Sequence, residues 1–213
     1  MIITLVAALI GALVGLLLWS RLRTLDYRRP CDDVDVLDRR PTHRWVLLLI
    51  PATWAWLTHT LLSNSWWAVL LWLPLSVVLT WATAVDLDVR RLPNRGLAMA
   101  GLWTAVVLVL EAAVTDRTRP LVEGVVAATA SAMIFFLLHL ASRDGLGLGD
   151  VKLIAVLATA SAGIAGWPTV AGLTLLGCLI ALVGMAAARR RDIAFGPCLA
   201  LAAVIAVGVA VKF

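Results

Sequence analysis

Long apolar runs separated by short polar segments dominate the chain. A helix of about 20 apolar residues crosses the hydrocarbon core of a bilayer, and runs of about this length recur along the whole sequence. The eight runs are Met1–Trp19, Trp45–Leu62, Trp66–Val85, Gly96–Val114, Leu121–Ala141, Val151–Gly166, Thr169–Ala188 and Ile193–Val211. We therefore predict an all-α, polytopic membrane protein with about eight transmembrane helices in a single membrane-embedded domain, residues 1–213.

The composition agrees with this prediction. Hydrophobic residues make up 62% of the chain and charged residues 15%, whereas soluble domains are about half apolar and a quarter charged. The excess apolar surface requires lipid, so the bilayer is an expected partner. The net charge of +5 is spread over several loops; because no single basic patch forms, no nucleic-acid partner is predicted.

The positions of the basic residues predict the orientation. Fifteen of the eighteen Lys and Arg residues lie in one set of loops, and only Arg117, Arg119 and Lys212 lie in the other. The positive-inside rule places the first set in the cytoplasm and both termini outside. Arg21 and Arg23 follow the first apolar run instead of preceding it, which is the reverse of a signal peptide, so we expect a retained anchor.

Two of the thirteen acidic residues lie where an apolar run meets a predicted cytoplasmic loop. Asp86 follows the third run directly, and Asp150 directly precedes the sixth. The predicted topology puts both at the same depth and on the same face of the membrane. Two neighbouring carboxylates do not easily ionise together, so one keeps its proton, and the pair can supply the base and the acid of peptide hydrolysis. We predict that Asp86 and Asp150 are a catalytic pair.

Residues around Asp150 could support this chemistry. Gly147 and Gly149 precede it, and their backbone, free of side chains, would allow a peptide to approach closely. Lys152 could favour ionisation of Asp150 or contact a substrate carbonyl. An anchoring role for this lysine at the cytoplasmic boundary is equally expected.

Other interpretations of these acids remain open. Asp88 is two residues from Asp86 and could be the catalytic partner instead. Asp150 could be only the N-cap of its helix. Asp86 or Asp88 could form an ordinary ion pair with Arg90 or Arg91.

The remaining chemistry-bearing residues form no recognisable site. The three cysteines form no Cys-x-x-Cys pair, and no His/Cys/Asp cluster has metal-ligand spacing. We therefore predict no metal and no cofactor.

The polar stretch 20–44 is a predicted cytoplasmic loop between the first two helices and is too short for a core of its own. Four acidic residues of this loop could attract a basic peptide or balance its arginines: Asp32, Asp33, Asp35 and Asp38.

Three segments resemble one known family. Gly147–Asp150 reads Gly-Leu-Gly-Asp and resembles the GxGD motif of intramembrane aspartic proteases, and Gly149–Leu153 resembles the form of this motif found in type IV prepilin peptidases. Asp86–Asn94 resembles that family's other signature, an Asp after an apolar helix followed by a basic-apolar-Pro-Asn ending. Ala194–Pro197 resembles the start of the family's last helix. The resemblance extends over roughly Trp45–Phe213, and three matches in the right order make it specific.

The resemblance implies an eight-helix fold in the bacterial inner (cytoplasmic) membrane. It favours Asp86 over Asp88 as the partner of Asp150. It implies cleavage of prepilin or pseudopilin-like precursors between a basic leader and an apolar helix, at the cytoplasmic boundary.

Larger members of the family carry a cytoplasmic domain with paired cysteines after the first helix and also N-methylate the new terminus. Here residues 20–44 contain a single cysteine, Cys31. The chain therefore resembles a short form of the family, and methylation is not predicted.

Three alternatives are weighed against this function. A presenilin-like protease would pair GxGD with a Tyr-Asp sequence and a Pro-Ala-Leu segment, and neither occurs here. A small proton-coupled transporter could use Asp86 and Glu111 as relay groups, although transporters place such acids near the midplane, often in two related halves. A scaffold without activity is the third alternative. The precursor's identity and the oligomeric state are left open.

Overall fold

The computed structural model describes residues 2–29, 41–141, 146–188 and 194–211. Within these ranges the regular secondary structure is entirely helical, which confirms the predicted all-α class. The helices are α1 Ile2–Leu22, α2 Val46–Leu61, α3 Trp66–Val89, α4 Asn94–Thr115, α5 Arg119–Ala141, α6 Leu148–Ala165, α7 Trp167–Ala188 and α8 Phe195–Ala210.

The prediction of a polytopic membrane protein is also confirmed. Among the described residues, six helices are long and apolar enough to cross a bilayer. The other two, α2 and α8, are apolar helices of 16 residues each. The orientation of the bundle in the membrane stays a prediction.

Among the helix ends that differ from the prediction, two concern the candidate acids. The helix predicted to stop just before Asp86 continues to Val89 and ends at Arg90, whose backbone is left-handed (φ 53°). The helix predicted to start just after Asp150 already starts at Leu148. Apolar runs mark the part of a helix that faces lipid or core, whereas the backbone hydrogen bonds continue into polar residues. Both acids therefore lie inside terminal helical turns.

The helices that carry the two acids are the most buried of the candidate membrane spans. About half of α3 and α6 is buried inside the protein (56% and 50%), against 17% of α1 and 22% of α5 and α7. Helix α3 packs against α2, α4 and α8, and α6 packs against α4, α5, α7 and α8. Large buried side chains such as Trp72, Leu75, Leu153 and Leu157 join them in one core. Interiors packed in this way are rigid, so the backbone positions of both acids are set by several neighbouring helices.

Helix α1 is peripheral and attaches through small residues. Its buried stripe includes Ala7, Gly11 and Gly15, which lie one turn apart on one face. A Cβ atom at Gly11 would be 3.1 Å from the Cα of Pro51 and the Cβ of Trp54. Small residues thus let α1 approach α2 closely, as is common between membrane helices.

Candidate functional site

A cavity of about 870 Å³ opens at one end of the bundle. Its walls come from the end of α3, the start of α6, the connection between α3 and α4, and part of the first loop. Asp86 and Asp150 both line it, together with Gly147, Gly149 and Lys152. The structure therefore brings together two acids that are far apart in the sequence.

Asp86 lies in the last turn of α3 and is 7% exposed. Its backbone carbonyl accepts a hydrogen bond from the Arg90 N–H at 3.0 Å. Gly196, at the start of α8, faces its carboxyl group: a Cβ there would be 3.1 Å from Asp86 Oδ2. The segment Ala194–Pro197 thus reaches the site, a contribution that its resemblance to a family signature did not specify.

Asp150 is the third residue of α6. The N-cap is Gly147, with extended backbone, so the interpretation of Asp150 as the N-cap is wrong. Its carboxyl group lies beside the Gly147 backbone, since a Cβ at Gly147 would be 3.4 Å from Asp150 Oδ2, and this position is that of the acidic residue in a capping box. The positive end of the α6 dipole stabilises negative charge at this position.

The charges of the two carboxylates act on each other. When both groups are ionised, Asp150 repels Asp86 electrostatically, and the surrounding low dielectric strengthens that repulsion. A single proton bound by the pair would relieve it, and the ionised group could then act as a base and the protonated group as an acid. This protonation state is the one that hydrolysis of an amide by water requires.

Asp88 does not line the cavity with Asp86. Its side chain is 3% exposed and forms a two-point ion pair with Arg28, with Nε to Oδ2 at 2.8 Å and Nη2 to Oδ1 at 3.0 Å. The ion-pair partner of Asp88 is thus a residue of the first loop, and the charge of Arg90 acts on Asp86. Paired in this way, Asp88 anchors the loop to α3 just beyond Asp86, and it does not face Asp150 across the cavity.

Tyr27 and His43 extend this anchor. The Tyr27 hydroxyl donates to Asp88 Oδ2 at 2.8 Å and lies 3.0 Å from His43 Nε2. Burial, together with the neighbouring Asp88 charge, raises the pKa of Tyr27, so its hydroxyl keeps its proton. Sequence reasoning missed Tyr27, Arg28 and His43, because no local pattern indicates which loop residues will meet a helix 60 residues away.

The buried His43 should make stability depend on pH. Burial lowers its pKa below the ordinary histidine value of 6.5, so below pH 6.5 the unfolded chain binds a proton that the folded protein does not. We expect stability to fall as the pH drops below about 6.5, until the folded protein also takes up the proton. The measurement is thermal unfolding in detergent at pH 7.5 and 5.5. His43→Gln should weaken the dependence, while His59→Gln, which replaces an exposed histidine, should leave it unchanged; equal dependence in wild type and His43→Gln would contradict the assignment.

The two glycines before Asp150 differ in their surroundings. A Cβ at Gly149 would be 3.0 Å from Leu92 Cβ, so a part of the chain itself already occupies the space next to it. A Cβ at Gly147 would have Asp150 Oδ2 as its nearest atom, at an ordinary 3.4 Å, and Gly147 is exposed at the cavity. Of the two glycines, therefore, only Gly147 has open backbone that a peptide could approach.

Lys152 connects two of the sequence segments singled out above. It is exposed, and its Nζ donates to Asn94 Oδ1 at 2.8 Å. Asn94 ends the segment that begins at Asp86, so this hydrogen bond joins that segment to the start of α6. The acidic cluster predicted to attract a basic peptide, Asp32 to Asp38, lies outside the described residues.

These features define a polytopic helical membrane protein with a two-carboxylate site at one end of its bundle. Residues 73–186 match the type IV leader peptidase family. The match covers more than half of the chain, and the chain belongs to this family. Asp86, Asp88 and Asp150 fall within the matched residues, whereas Ala194–Pro197 lies beyond them.

A prepilin leader peptidase/N-methyltransferase from Neisseria gonorrhoeae is similar to this chain. The two are 31% identical over 135 residues, which are 62% of this chain and 46% of the relative. The aligned part thus spans about half the length of that relative. No solved structure matches the chain.

Proposed function

We propose that this protein is an aspartic endopeptidase of the bacterial inner membrane that removes the basic leader from prepilin or pseudopilin-like precursors at the cytoplasmic face. The observation that carries the proposal is that Asp86 and Asp150, on the two most buried candidate spans, line the same cavity. Membership of the type IV leader peptidase family supports the class of substrate. We propose no N-methyltransferase activity, metal or cofactor.

The chemistry follows from one proton shared by two carboxylates. The ionised group removes a proton from water as the water oxygen attacks the scissile carbonyl, and the protonated group donates a hydrogen bond to the carbonyl oxygen. When the C–N bond breaks, a carboxyl proton passes to the departing nitrogen. The products are a new carboxylic acid and a new amine, which become a carboxylate and an ammonium group in water, and the pair returns to its singly protonated state.

The surroundings of the cavity support a position at the cytoplasmic boundary. Its walls include residues 90–95 and part of the first loop, which belong to the arginine-rich set of loops predicted to face the cytoplasm. A precursor whose apolar helix lies in the bilayer would present the start of that helix at this depth. Cleavage there separates the leader from the helix without unwinding the helix in the membrane.

The alternative functions receive less support. A proton relay through Asp86 and Glu111 would need the two close together, but Glu111 lies 17 residues into α4, about 25 Å along the helix from the end next to the cavity. A presenilin-like protease cuts within the membrane, whereas this cavity is bordered by Arg95 and Lys152 at an end of the bundle.

The test is cleavage of a synthetic precursor peptide by the purified protein in detergent, with N-terminal sequencing of the product. We expect wild type to cut between the basic leader and the apolar segment, and Asp86→Asn and Asp150→Asn to give no detectable cut within the time in which wild type completes it. Asp26→Asn is the matched control, because Asp26 also lines the cavity but accepts a hydrogen bond from Thr24 in the first loop. Cleavage that survives either change in the proposed pair would reject the assignment.

A further inference from the structure

Leu92 lies in the short connection between α3 and α4, at the wall of the cavity. The connection runs from Arg90 to Pro93, so Leu92 is six residues from Asp86 and is held near the end of α3 by the chain itself. Its side chain is partly buried against the main core. Nothing in the proposed chemistry uses this side chain directly.

Two glycines from other helices enclose the Leu92 side chain. A Cβ at Gly149 would be 3.0 Å from Leu92 Cβ and 3.3 Å from Cδ1. A Cβ at Gly196 would be 3.2 Å from Leu92 Cδ2 and 3.3 Å from Cδ1. These distances are shorter than ordinary van der Waals contact, so the starts of α6 and α8 approach Leu92 as closely as backbone without side chains allows.

Each of these glycines is next to one of the carboxylates. Gly149 immediately precedes Asp150, and the Cβ position of Gly196 is 3.1 Å from Asp86 Oδ2. Leu92 therefore packs against the segment that carries Asp150 on one side and against the residue that borders the Asp86 carboxyl on the other.

We propose that Leu92 is a positioning residue that sets the separation of the Asp86 and Asp150 carboxyl groups. The inference rests on the proposed function. A packed side chain is nearly incompressible, so its size determines how far the start of α6 lies from the end of α3. Displacing a reacting group by about 1 Å can cost on the order of 100-fold in rate.

The first test compares rates of precursor cleavage. We expect Leu92→Ala to lower kcat on the order of 100-fold with little change in KM, and Leu92→Met, which nearly preserves volume, to retain most of the activity. Leu87→Ala is the matched control, because Leu87 belongs to the same segment but is 54% exposed. Equal kcat values for Leu92→Ala and Leu87→Ala would overturn the proposal.

The pH profile of kcat separates positioning from a general loss of stability. If Leu92 sets the spacing of the pair, the two apparent pKa values of the profile move when Leu92 is truncated, because the coupling of the carboxylates changes. A variant that merely contains less folded protein would show a lower kcat with an unchanged profile, and that result would also overturn the proposal.

A cross-linking measurement tests the spacing without using activity. Asp86→Cys and Asp150→Cys are combined in a chain whose three native cysteines are replaced by serine, and the rate of disulfide formation is followed. We expect Leu92→Ala to change this rate several-fold, because disulfide formation requires a narrow range of separations, and Leu87→Ala to leave it unchanged. Equal rates in the Leu92→Ala chain and its parent would reject the role of Leu92 and leave the proposed function standing. The absence of a cross-link in the parent chain would reject the pairing of the acids and, with it, the proposed function.

A double substitution tests the contact with Gly196. Gly196→Ala places a methyl group against Leu92 and Asp86, and we expect it to lower kcat at least tenfold. Shortening Leu92 to Ala removes the two Cδ atoms that the new methyl meets, so the double variant should lose less activity than the product of the single losses. Strictly multiplicative losses would contradict the contact, and Gly172→Ala is the control, because no atom lies within 4 Å of a Cβ at that position.

Discussion

Replacing either Asp86 or Asp150 by Asn is expected to lower kcat/KM for precursor cleavage by about 1,000-fold, within the 10²–10⁴-fold range for a positioned general acid or base. Asn has nearly the shape of Asp but neither accepts nor releases the required proton. The remaining carboxylate no longer has a partner to share a proton with, so the loss affects both the attack of water and the protonation of the leaving nitrogen.

The double variant distinguishes a catalytic pair from two independent groups. Residues that act as a unit show strongly non-additive effects, so Asp86→Asn with Asp150→Asn should be only a few-fold slower than either single variant. The measurement is cleavage of a peptide substrate in detergent, with thermal unfolding to verify that each variant is folded. A double variant that loses the product of the two single effects would show that the acids act separately.

Replacing Asp88 by Ala is expected to destabilise the protein by about 2–3 kcal/mol. Its side chain and that of Arg28 are only 3% and 7% exposed, and the change leaves the guanidinium without its carboxylate. We set the cost below the ~3–5 kcal/mol of a fully enclosed pair, because Arg28 also borders an open cavity. For a chain of this size the loss corresponds to a decrease in Tm of about 4–12 °C.

Two further variants make the Asp88 experiment specific. Combining Asp88→Ala with Arg28→Ala removes both charges, so the double variant should be more stable than Asp88→Ala alone. Glu123→Ala breaks the ion pair with Arg119, which lies on the surface of α5, and should change the unfolding temperature little. If Asp88→Ala were as harmless as Glu123→Ala, the anchoring of the first loop by Asp88 would be wrong.

The amino-acid sequence by itself determined the class of protein and the two candidate acids. The apolar runs are long enough to require lipid, and this requirement does not depend on how the helices pack. The scarcity of acidic residues made Asp86 and Asp150 conspicuous at the ends of their runs. The resemblance to the type IV prepilin peptidases rested on short ordered motifs and was confirmed at the level of the family.

Only the tertiary structure decided which side each acid faces. Asp86 and Asp88 are two residues apart in the last turn of one helix, about 200° apart around its axis, so they face different neighbours. Asp86 lines the cavity with Asp150, whereas Asp88 binds Arg28. No local pattern predicted this difference, because it depends on where the first loop packs.

The role of Leu92 likewise required the packed bundle. In the sequence it is an ordinary apolar residue of a short connection, and the two glycines around it belong to helices that start more than 50 residues later. Periodicity and hydropathy describe one segment at a time and therefore determine which residues enter the membrane. The separation of two carboxyl groups depends on side chains packed between segments distant in the chain, and only their arrangement in space determines it.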